Sequence, residues 1–598
     1  MPEAGPSLHH ESAGKWKGFA GRIREERGSA LVLVMFIVLL LTILGLTVLT
    51  AAVGGAQRTE MRKNDVQSLH LAEKTLDEAV AYITSSLNKR VAASVDMSQA
   101  EVDAAIKGFL SNLKSMNNPE DTGNPSALFA STDLHQSDGG KAIGTIVDIT
   151  DPITTEQGQS VSYTVTLTAQ AEVNGVVRKL KQNVVVDTYP DFLKYTLGSE
   201  NNLIINGSPY IKGNIYAGNR LEISDTANYT YSDPGSFVSR PFELDGEAHV
   251  QSLNKLAYKA HDRMGELTGN EVTEAGIISA DKVKIKSHRG FVEVNVKSSF
   301  IDKVQEAVGT GASRQSILDN MNNHSLAAYL TSNYETMFDH TVLPPKPDPA
   351  DTSEEGKQAM EEYAEAVNIL TNPKKSLVYA GDLTIDGTEL TGINYTQKTS
   401  EAYPDAKHYW YIIDGNLTVD NYGGPIPIDI RANILVTGKV QIRGKVRFDS
   451  TIFALKESNA PIGGEDFTTV VEDAFIEGLN GKELVLMSQG QILINRLAAF
   501  DNTEPAPLAA FFYTDSDAQL YGVGSIFSLI GGFFAKGDLT INAVRGTAFR
   551  GDSDINIQGN NSLIRFKAIY NDQIFADQQA GLPRVKAVNI RVGDLRLE

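Results

Sequence analysis

The sequence contains one uncharged and almost wholly aliphatic run of 24 residues, at positions 30–53, and this run restricts the fold more than any other feature. Only three threonines and one glycine interrupt it. The hydrocarbon core of a bilayer needs about 20 apolar helical residues. A cleavable secretory signal has an apolar region of only about 7–15 residues. The run therefore predicts a membrane-spanning helix rather than a cleaved signal.

Charges on the N-terminal side of this run predict its orientation. Glu25 and Glu26 are opposed there by a larger basic set, Lys15, Lys17, Arg22, Arg24 and Arg27. Positively charged flanks stay in the cytoplasm. We therefore expect a single-pass membrane protein with a cytoplasmic N-terminus and an extracytoplasmic C-terminal ectodomain.

The helix is expected to continue beyond the membrane. No proline or glycine lies between Ala56 and Leu87, and apolar residues recur at helical spacing. Those residues are Met61, Leu69, Ala72, Leu76, Ala79 and Ile83. A continuous helix over residues 30–87 would be about 85 Å long at about 1.5 Å per residue. Gly54 and Gly55 are its one weak point, where the helix could bend.

Three segments of this region resemble one known family. They are Glu26-Arg27-Gly28-Ser29-Ala30-Leu31, Leu41-Thr42-Ile43-Leu44-Gly45 and Leu71-Ala72-Glu73-Lys74-Thr75-Leu76-Asp77-Glu78-Ala79. Together they look like the N-terminal region of PilX-type proteins, which are pilin-like minor components of type IV pili. The resemblance covers about residues 20–90.

The resemblance implies processing by prepilin peptidase between Gly28 and Ser29, so that Ser29 becomes the new N-terminus. It also implies a helix that both anchors and assembles the protein, with the lipid bilayer and other pilins or pilus assembly proteins as partners. We take five positions to mark that membrane and assembly helix: Ala30, Leu33, Phe36, Leu40 and Gly45.

Two positions depart from the pattern of major pilins. Major pilins place Phe or Met first after the cut, where this chain has Ser29, and glutamate fifth, where it has Leu33. That glutamate pairs with the free amine of a neighbouring subunit, and an unpaired buried charge is costly. The departure implies a minor, initiating or tip subunit. The alternative is a plain single-pass anchor that never polymerises.

A strong β-hairpin pattern follows the helix. Seven residues alternate with polar ones from Val161 to Val173, Asn174-Gly175 is a preferred two-residue turn, and the return strand runs to Val186. A long helix followed by an antiparallel sheet is the order found in pilin-like domains. We therefore assign residues 1–28 to a leader, 29–92 to the helix and 93–190 to a pilin-like helix and sheet; an ordinary surface hairpin is the alternative.

A glycine-led pattern with alternating aliphatic residues recurs in the remaining chain. It starts at Gly213, Gly381, Gly415, Gly438, Gly490 and Gly537. Several of these spacings are near one or two units of about 23–26 residues, which suits the coils of a parallel β-helix. We therefore expect an α+β protein whose ectodomain is mostly β, with solenoid parts at 191–248 and 376–598. A β-sandwich or an irregular sheet stack is the alternative.

Residues 249–375 interrupt that pattern. Helical stretches are predicted near 253–267, 300–308 and 353–370, and a strand pair at 283–296. A proline-rich linker covers 344–349. We read this region as a mixed, mainly helical insertion.

Composition excludes several kinds of chemistry. The chain has no cysteine, so disulfides, thiolate metal sites and cysteine nucleophiles are absent. Its net charge is −20, and residues 66–598 alone carry −22, a poor match for nucleic acid. Asp552, Asp554 and Asn556 begin like a calcium loop, but Ile557 stands where the turn glycine is needed.

No enzyme motif is present either, so we expect no catalytic, cofactor or metal site. Residues 408–411, His-Tyr-Trp-Tyr, could stack on sugars, but packing is the favoured interpretation. The expected function is a minor pilin-like component that displays its ectodomain for contact with a surface ligand or for pilus initiation. The alternatives are an anchored polysaccharide-active β-helix enzyme and a passive envelope protein.

Overall fold

The computed structural model describes most of the chain from Ser29 onward. The described residues are 29–93, 99–117, 130–132, 142–157, 160–187, 190–230, 233–286, 294–308, 312–395, 409–456, 467–496, 499–551, 554–558, 562–574, 578, 581–583 and 588–598. The expected leader, Gly28 included, lies outside them, as do His408 and Asp552.

Helix α1 runs without a break from Ser29 to Ala93. Its 65 residues make it about 100 Å long at about 1.5 Å per residue. Gly54 and Gly55 do not end it, because both remain inside the helix. The fold-class prediction of a long apolar N-terminal helix is confirmed.

An antiparallel sheet, which we call sheet A, packs on the second half of α1. Its N-terminal strands and the accompanying helix are α2 (Gln99–Met116), β1 (Ala130–Thr132), β2 (Ala142–Ile149), β3 (Ile153–Gln157), β4 (Ser160–Val173) and β5 (Val176–Asp187). Asn174 and Gly175 both have positive φ, 49° and 82°, as a two-residue hairpin turn of this type requires. The hairpin prediction is confirmed.

The contact between α1 and sheet A is dry and closely packed. One face of α1 is fully buried there: Leu71, Ala72, Leu76, Ala79, Ile83 and Leu87. It meets the inward-facing residues of β4 and β5, among them Val165 and Val184. Gly144 of β2 lets the helix approach, because a Cβ there would lie 2.1 Å from Thr75 Oγ1. Apolar residues alternate with polar ones along β4, and the apolar residues therefore form the face of the sheet that packs on α1.

The last two strands of the chain return to sheet A. Strands β38 (Asn589–Val592) and β39 (Arg596–Leu597) pair antiparallel with β5. The amide of Gln182 donates to the Gly593 carbonyl at 3.2 Å, and the Val588 N–H donates to Asn88 Oδ1 at 3.0 Å. The assignment of these residues to the solenoid part 376–598 therefore differs from the structure. Strands β38 and β39 pair with the free edge of β5, and no local sequence pattern predicts this long-range pairing.

Everything between β5 and β38 is thus inserted between two neighbouring strands of sheet A. Most of it forms one large assembly of parallel strands, which we call the coil stack (the described residues within 197–285, 338–340 and 376–570). Its strands pair in parallel from one coil to the next on three faces, which is the pairing of a parallel β-solenoid.

Face 1 of the coil stack contains, in stacking order, β18 (Phe338–His340), β19 (Ser376–Ala380), β22 (Trp410–Asp414), β25 (Asn433–Val436), β27 (Ser450–Ala454), β29 (Leu484–Ser488), β31 (Ala506–Thr514), β33 (Phe527–Ala535), β6 (Leu197–Ser199), β9 (Ile215–Ala217), β14 (Ala248–Val250) and β17 (Val283–Ile285). Face 2 contains β20 (Leu383–Ile385), β23 (Leu417–Asn421), β26 (Val440–Phe448), β28 (Thr469–Gly478), β30 (Ile492–Asn495), β32 (Ala518–Gly522), β34 (Leu539–Ala543), β7 (Asn202–Gly207), β10 (Arg220–Ser224) and β15 (Leu256–Lys259).

Face 3 contains β21 (Gly392–Asn394), β24 (Ile428–Arg431), β37 (Phe566–Tyr570), β8 (Tyr210–Lys212) and β13 (Glu243–Asp245), with the outer halves of β26, β28, β31 and β33 between β24 and β37. Strand β16 (Leu267–Thr268) pairs antiparallel with β15. Two hairpins project from the stack, β11 (Thr226–Thr230) with β12 (Pro234–Val238), and β35 (Thr547–Arg550) with β36 (Ile555–Gln558).

The stacking order differs from the chain order. The first coil in the sequence stacks on the last one, through β33 with β6, β34 with β7 and β37 with β8. Arg545 fastens this joint, because its guanidinium donates to Glu243 Oε2 at 2.8 Å and to the Ser208 carbonyl at 3.3 Å. The two expected solenoid parts therefore form one continuous body.

Five of the six glycines in the repeat pattern lie at one corner of the coils, where the chain turns into face 2. A Cβ on Gly415 would lie 2.3 Å from the backbone carbonyl carbon of Gly381, so the stacked corners come too close for a side chain. Next to them, Asn416 Nδ2 donates to Asp382 Oδ1 at 2.9 Å, and the Lys439 N–H donates to Asn416 Oδ1 at 2.7 Å. The glycine pattern therefore marks a corner at which polar groups of successive coils hydrogen-bond to one another, an arrangement that we call the polar ladder of the stack.

The chain between β17 and β18 connects opposite ends of the stack, and its described helices lie across face 1. These helices are α4 (Val296–Val308), α5 (Arg314–Asn322) and α6 (Leu326–Tyr334). Side chains such as Phe300 and Leu330 bury the outer side of face 1, including Trp410 and Phe453. Asp515 and Asp414 of the stack accept the N–H groups that begin α4 and α6, at 2.7 and 2.8 Å.

The ends of the stack are covered by α3 (Asn270–Glu274) and α7 (Glu354–Thr371), whose Val272 and Leu370 join the core of the stack. Covered ends prevent pairing between copies. The predictions of helices near 300–308 and 353–370 are confirmed. The helix expected at 253–267 is wrong, because β15 and β16 complete the last coil there. At 283–296 only β17 precedes α4 among the described residues.

Candidate anchoring and assembly surface

The first half of α1 exposes its apolar side chains. Leu33, Phe36 and Leu40 are 62%, 63% and 54% exposed, although all three are strongly hydrophobic. Among the described residues, α1 is the helix long and apolar enough to cross a membrane, with a mean hydropathy of 3.1 over its most apolar window. Such a surface is costly in water, because burial of apolar area contributes about 25 cal/mol per Å².

The few polar side chains of this half are satisfied within the helix. Thr42, Thr47 and Thr50 donate their hydroxyls to the carbonyls four residues earlier, at 2.6, 2.7 and 2.7 Å. Unsatisfied hydrogen-bonding groups are excluded from the hydrocarbon region of a bilayer. The three threonines therefore do not prevent insertion.

The predicted positions do not form a single stripe. At about 100° per residue, Leu33, Phe36 and Leu40 share one face of α1, and Ala30 lies beside it. Gly45 lies about 140° around the helix from Leu40, and a Cβ at Gly45 would meet no neighbouring atom. Ser29 is the first residue of α1. The structure thus places the five helix positions in one exposed segment rather than on one contact face.

The environment of α1 changes between Val53 and Asn64. Val53 is half exposed, whereas Asn64 is 7% exposed and accepts a hydrogen bond from Asn174 Nδ2 at 3.3 Å. Beside it Arg178 pairs with Asp65, and this hydrogen bond lowers the pKa of the Asp65 carboxyl. Sheet A therefore begins within three helical turns of the apolar segment.

The described residues contain no group of three or more His, Asp or Glu side chains placed to hold a metal ion. Trp410 and Tyr411 are fully buried, and burial raises the pKa of Tyr411. They belong to opposite sides of face 1, so the interpretation of this aromatic cluster as packing is confirmed. Asp554 and Asn556 lie at the start of β36 in a hairpin with β35.

One feature escaped the sequence analysis, a cleft between hairpin β11–β12 and strand β32. It has a volume of about 350 Å³ and includes Tyr229, Gln519 and Tyr521 in its lining. Its two sides come from parts of the chain almost 300 residues apart, so no local motif marks it.

No family model matches the chain, and no curated protein matches it. Among solved structures, it is similar to the crystal structure of the competence-associated pilin ComZ from Thermus thermophilus, at 12% sequence identity and a TM-score of 0.23. The match covers 90% of this chain and 98% of that one. At this TM-score the similarity supports no conclusion about fold or role.

Proposed function

We propose that this protein is a minor, pilin-like subunit of a type IV pilus or a related assembly. The first half of α1 would anchor it in the cytoplasmic membrane before assembly and contact other pilins afterwards. In this proposal the N-terminus is cytoplasmic, and sheet A and the coil stack are extracytoplasmic.

One observation carries the proposal, the division of α1 into two halves. One face of its second half is buried against an antiparallel sheet, while its first half exposes an almost wholly apolar surface. A membrane anchor alone needs about 20 residues. A helix that continues without a break from the anchor into a domain core fixes the position of that domain relative to the anchor. Such a fixed arrangement suits a filament in which many of these helices pack together.

Residue identities near the cleavage junction support a minor role. We propose cleavage by prepilin peptidase between Gly28 and Ser29. Leu33 would then be fifth and could not neutralise the new amine of a neighbouring subunit. A subunit at the tip or the start of a filament does not need this pairing along a shaft.

The coil stack supports a display role without catalysis. Face 1 is covered by α4–α6, whereas the outward residues of faces 2 and 3 are partly exposed where hairpin β11–β12 does not cover them. Insertion between β5 and β38 holds the stack on sheet A by two connections, so the stack would project from the filament. We propose that it makes contact with a surface ligand.

Two measurements on cells test this proposal. Mass spectrometry of the mature N-terminus is expected to find Ser29 first, and the protein is expected in sheared filaments only when the assembly ATPase is present.

Leu33→Glu should increase the share of this protein in the filament mass, because the new N-terminal amine would gain a partner. Leu39→Glu, six residues further along the same helix, is the matched control. An intact leader in cells with active prepilin peptidase would contradict the proposal. Equal surface abundance without the assembly ATPase would contradict it too, and the protein would then be a passive membrane anchor.

A further inference from the structure

Hairpin β11–β12 folds back over face 2 of the coil stack. It leaves the stack after β10, and Ala227 packs with Val544 and Ala548 in a small separate core. The Asn228 N–H donates to Asn542 Oδ1 of β34 at 3.0 Å. The hairpin therefore crosses β7 and β34 and reaches β32, two coils beyond β7 in the stacking order.

The root of this hairpin is fixed. The Ser239 N–H donates to the Asp225 carbonyl at 2.7 Å, and the hydroxyls of Ser208 and Ser239 are 2.5 Å apart. The ring of Tyr229 lies against the backbone of Gly235, where a Cβ would come within 2.4 Å of it. A cleft formed by such a hairpin exists before a ligand arrives, which lowers the entropic cost of binding.

The cleft is large enough for a small ligand. Its volume of about 350 Å³ lies at the lower end of the range of about 300–1,000 Å³ found for ligand sites. Six polar side chains contribute to its lining: Asn228, Tyr229, Thr230, Ser236, Gln519 and Tyr521. On the hairpin side, Asn228, Thr230 and Ser236 are exposed.

All six of these side chains are uncharged, although 21% of the chain is charged. They provide hydroxyls, two amides and two phenol rings. Burial raises the pKa of Tyr521, while Thr230 and Gln519 beside it act to lower it. Hydroxyls and amides match the hydroxyls of a sugar, and the apolar face of a sugar ring matches the face of a tyrosine ring.

Charges around the cleft oppose acidic ligands. Gln519 also lines a neighbouring slot that contains Asp517 and Asp538. Asp538 accepts hydrogen bonds from Asn201 Nδ2 and the Asn202 N–H, at 2.7 and 3.1 Å, so it belongs to the polar ladder of the stack. Polyanions such as nucleic acids or acidic polysaccharides would meet these carboxylates and a net charge of −20.

We propose that the cleft between hairpin β11–β12 and strand β32 binds a neutral glycan. This assignment rests on the proposed display of the coil stack outside the cell. The ligand would place a sugar ring against Tyr521 and exchange hydrogen bonds with Gln519 and the hairpin hydroxyls. It would be the surface ligand of the displayed domain.

The test is isothermal titration calorimetry on the full chain in detergent. The probes are maltohexaose and chitohexaose as neutral glycans, tetragalacturonate as an acidic one, and a 20-base-pair DNA duplex. At least one neutral probe is expected to bind. Tyr521→Ala and Gln519→Ala should each weaken that binding by about tenfold, because each removes contact area and a polar partner. Tyr521→Phe should cost less, since it keeps the ring.

Tyr422→Ala is the matched control. Tyr422 is a 53% exposed tyrosine of the same stack, outside the cleft, with Arg443 over its ring at 4.1 Å. Its replacement should leave binding unchanged, and thermal unfolding of each variant verifies folding. Ser236→Ala, at an exposed hairpin position, serves as a second cleft variant should Tyr521→Ala fail to fold.

Three results would overturn the glycan assignment: neither neutral probe binds, the cleft variants bind as well as the wild type, or the same variants abolish binding of DNA or tetragalacturonate instead. Because the titration uses detergent-solubilised protein, it does not depend on filaments. If the chain binds a glycan but never enters filaments, the proposed pilin-like function is wrong and the glycan assignment stands. If it enters filaments but binds no glycan, the glycan assignment is wrong and the pilin-like function stands.

Discussion

Sheet A and the coil stack bury similar aliphatic residues but connect them over different distances along the chain. In sheet A, β4 and β5 are joined by a two-residue turn. In the coil stack, β34 pairs with β7, and Asn206 donates to Asn542 across 336 residues. Local pairing makes β4 and β5 of sheet A predictable from the sequence, whereas the joint of the stack, like the pairing of β38 with β5, depends on contacts between distant segments.

This contrast predicts two unfolding events. Each body has its own hydrophobic core. A variant in one body should therefore shift its own transition and leave the other almost unchanged.

The largest effect is expected for Arg565→Leu in the coil stack. Arg565 is fully buried and donates to five backbone carbonyls, including Ser525 at 3.0 Å and Ala499 at 3.1 Å. Burial lowers the pKa of Arg565 to about 10, with Arg496 contributing. Loss of the donor leaves buried carbonyls unpaired, and we expect a loss of about 3–5 kcal/mol. Denaturant unfolding followed by circular dichroism measures it.

The control for that change is Arg550→Leu, an exposed residue at the end of β35 whose guanidinium lies over the Phe500 ring at 5.0 Å. It should cost under about 1 kcal/mol, because surface charges contribute little. Equal losses for both arginines would show that the carbonyls around Arg565 are satisfied in another way.

Next in size is Leu76→Ala in α1. Leu76 is fully buried against sheet A, so its truncation leaves a cavity and should cost about 2–5 kcal/mol of sheet A stability. Leu39→Ala removes the same atoms from the exposed half of the same helix, where Leu39 is 56% exposed, and should leave that transition unchanged in detergent. Thermal unfolding in one detergent compares the pair; similar midpoints would mean that α1 and sheet A do not share a core.

A smaller effect is expected when the chain is ended after Val588. This removes β38 and β39 and exposes the edge of β5. We expect sheet A to lose about 2 kcal/mol, the sum of a few net hydrogen bonds, while the coil stack keeps its midpoint. Hydrogen exchange at Val185, which lies opposite Arg591 of β38, should increase, and unchanged protection there would contradict the pairing.

The smallest effect concerns pH and the base of hairpin β11–β12. The Asp225 carboxylate accepts hydrogen bonds from the His261 ring at 2.7 Å and from the His261 N–H. The bond to Asp225 raises the pKa of His261, with Asp262 adding to it. Burial alone would raise the pKa of Asp225, but His261 and Thr226 outweigh burial and lower it.

A raised histidine pKa stabilises the fold below the ordinary value of 6.5 and loses its contribution as pH rises through the folded value. A lowered aspartate pKa stabilises it above 3.8 and loses its contribution as pH falls. The pair therefore contributes fully between these two values. His261→Gln should flatten the decline in coil-stack midpoint above pH 6.5, and an identical pH profile would exclude this linkage.

The sequence supports prediction of the local elements and not of their assembly. The apolar run, the alternation from Val161 to Val173 and the Asn174-Gly175 turn act within a few residues, so α1, β4 and β5 follow from them. The glycine pattern indicates coils because close backbone approach requires glycine at the corner. Of the site, the exposed apolar half of α1 was predictable from hydropathy alone.

The remaining features arise from distant contacts. The return of β38 to β5, the stacking of β6 on β33 and the cleft at Tyr521 each join segments hundreds of residues apart. The helix expected at 253–267 failed for the same reason, since the edge of β10 selects Leu256–Lys259 as a strand against its local pattern.

Insertion of the coil stack between β5 and β38 also determines how the protein responds to mechanical force. A pull on the stack reaches sheet A through two covalent connections at neighbouring strands, so each carries part of the tension. Because β38 and β5 lie side by side and antiparallel, both connections leave from the same end of the sheet. The load therefore tends to peel β38 away from β5 before it reaches α1, so this strand pair is expected to open first when the coil stack is pulled away from α1.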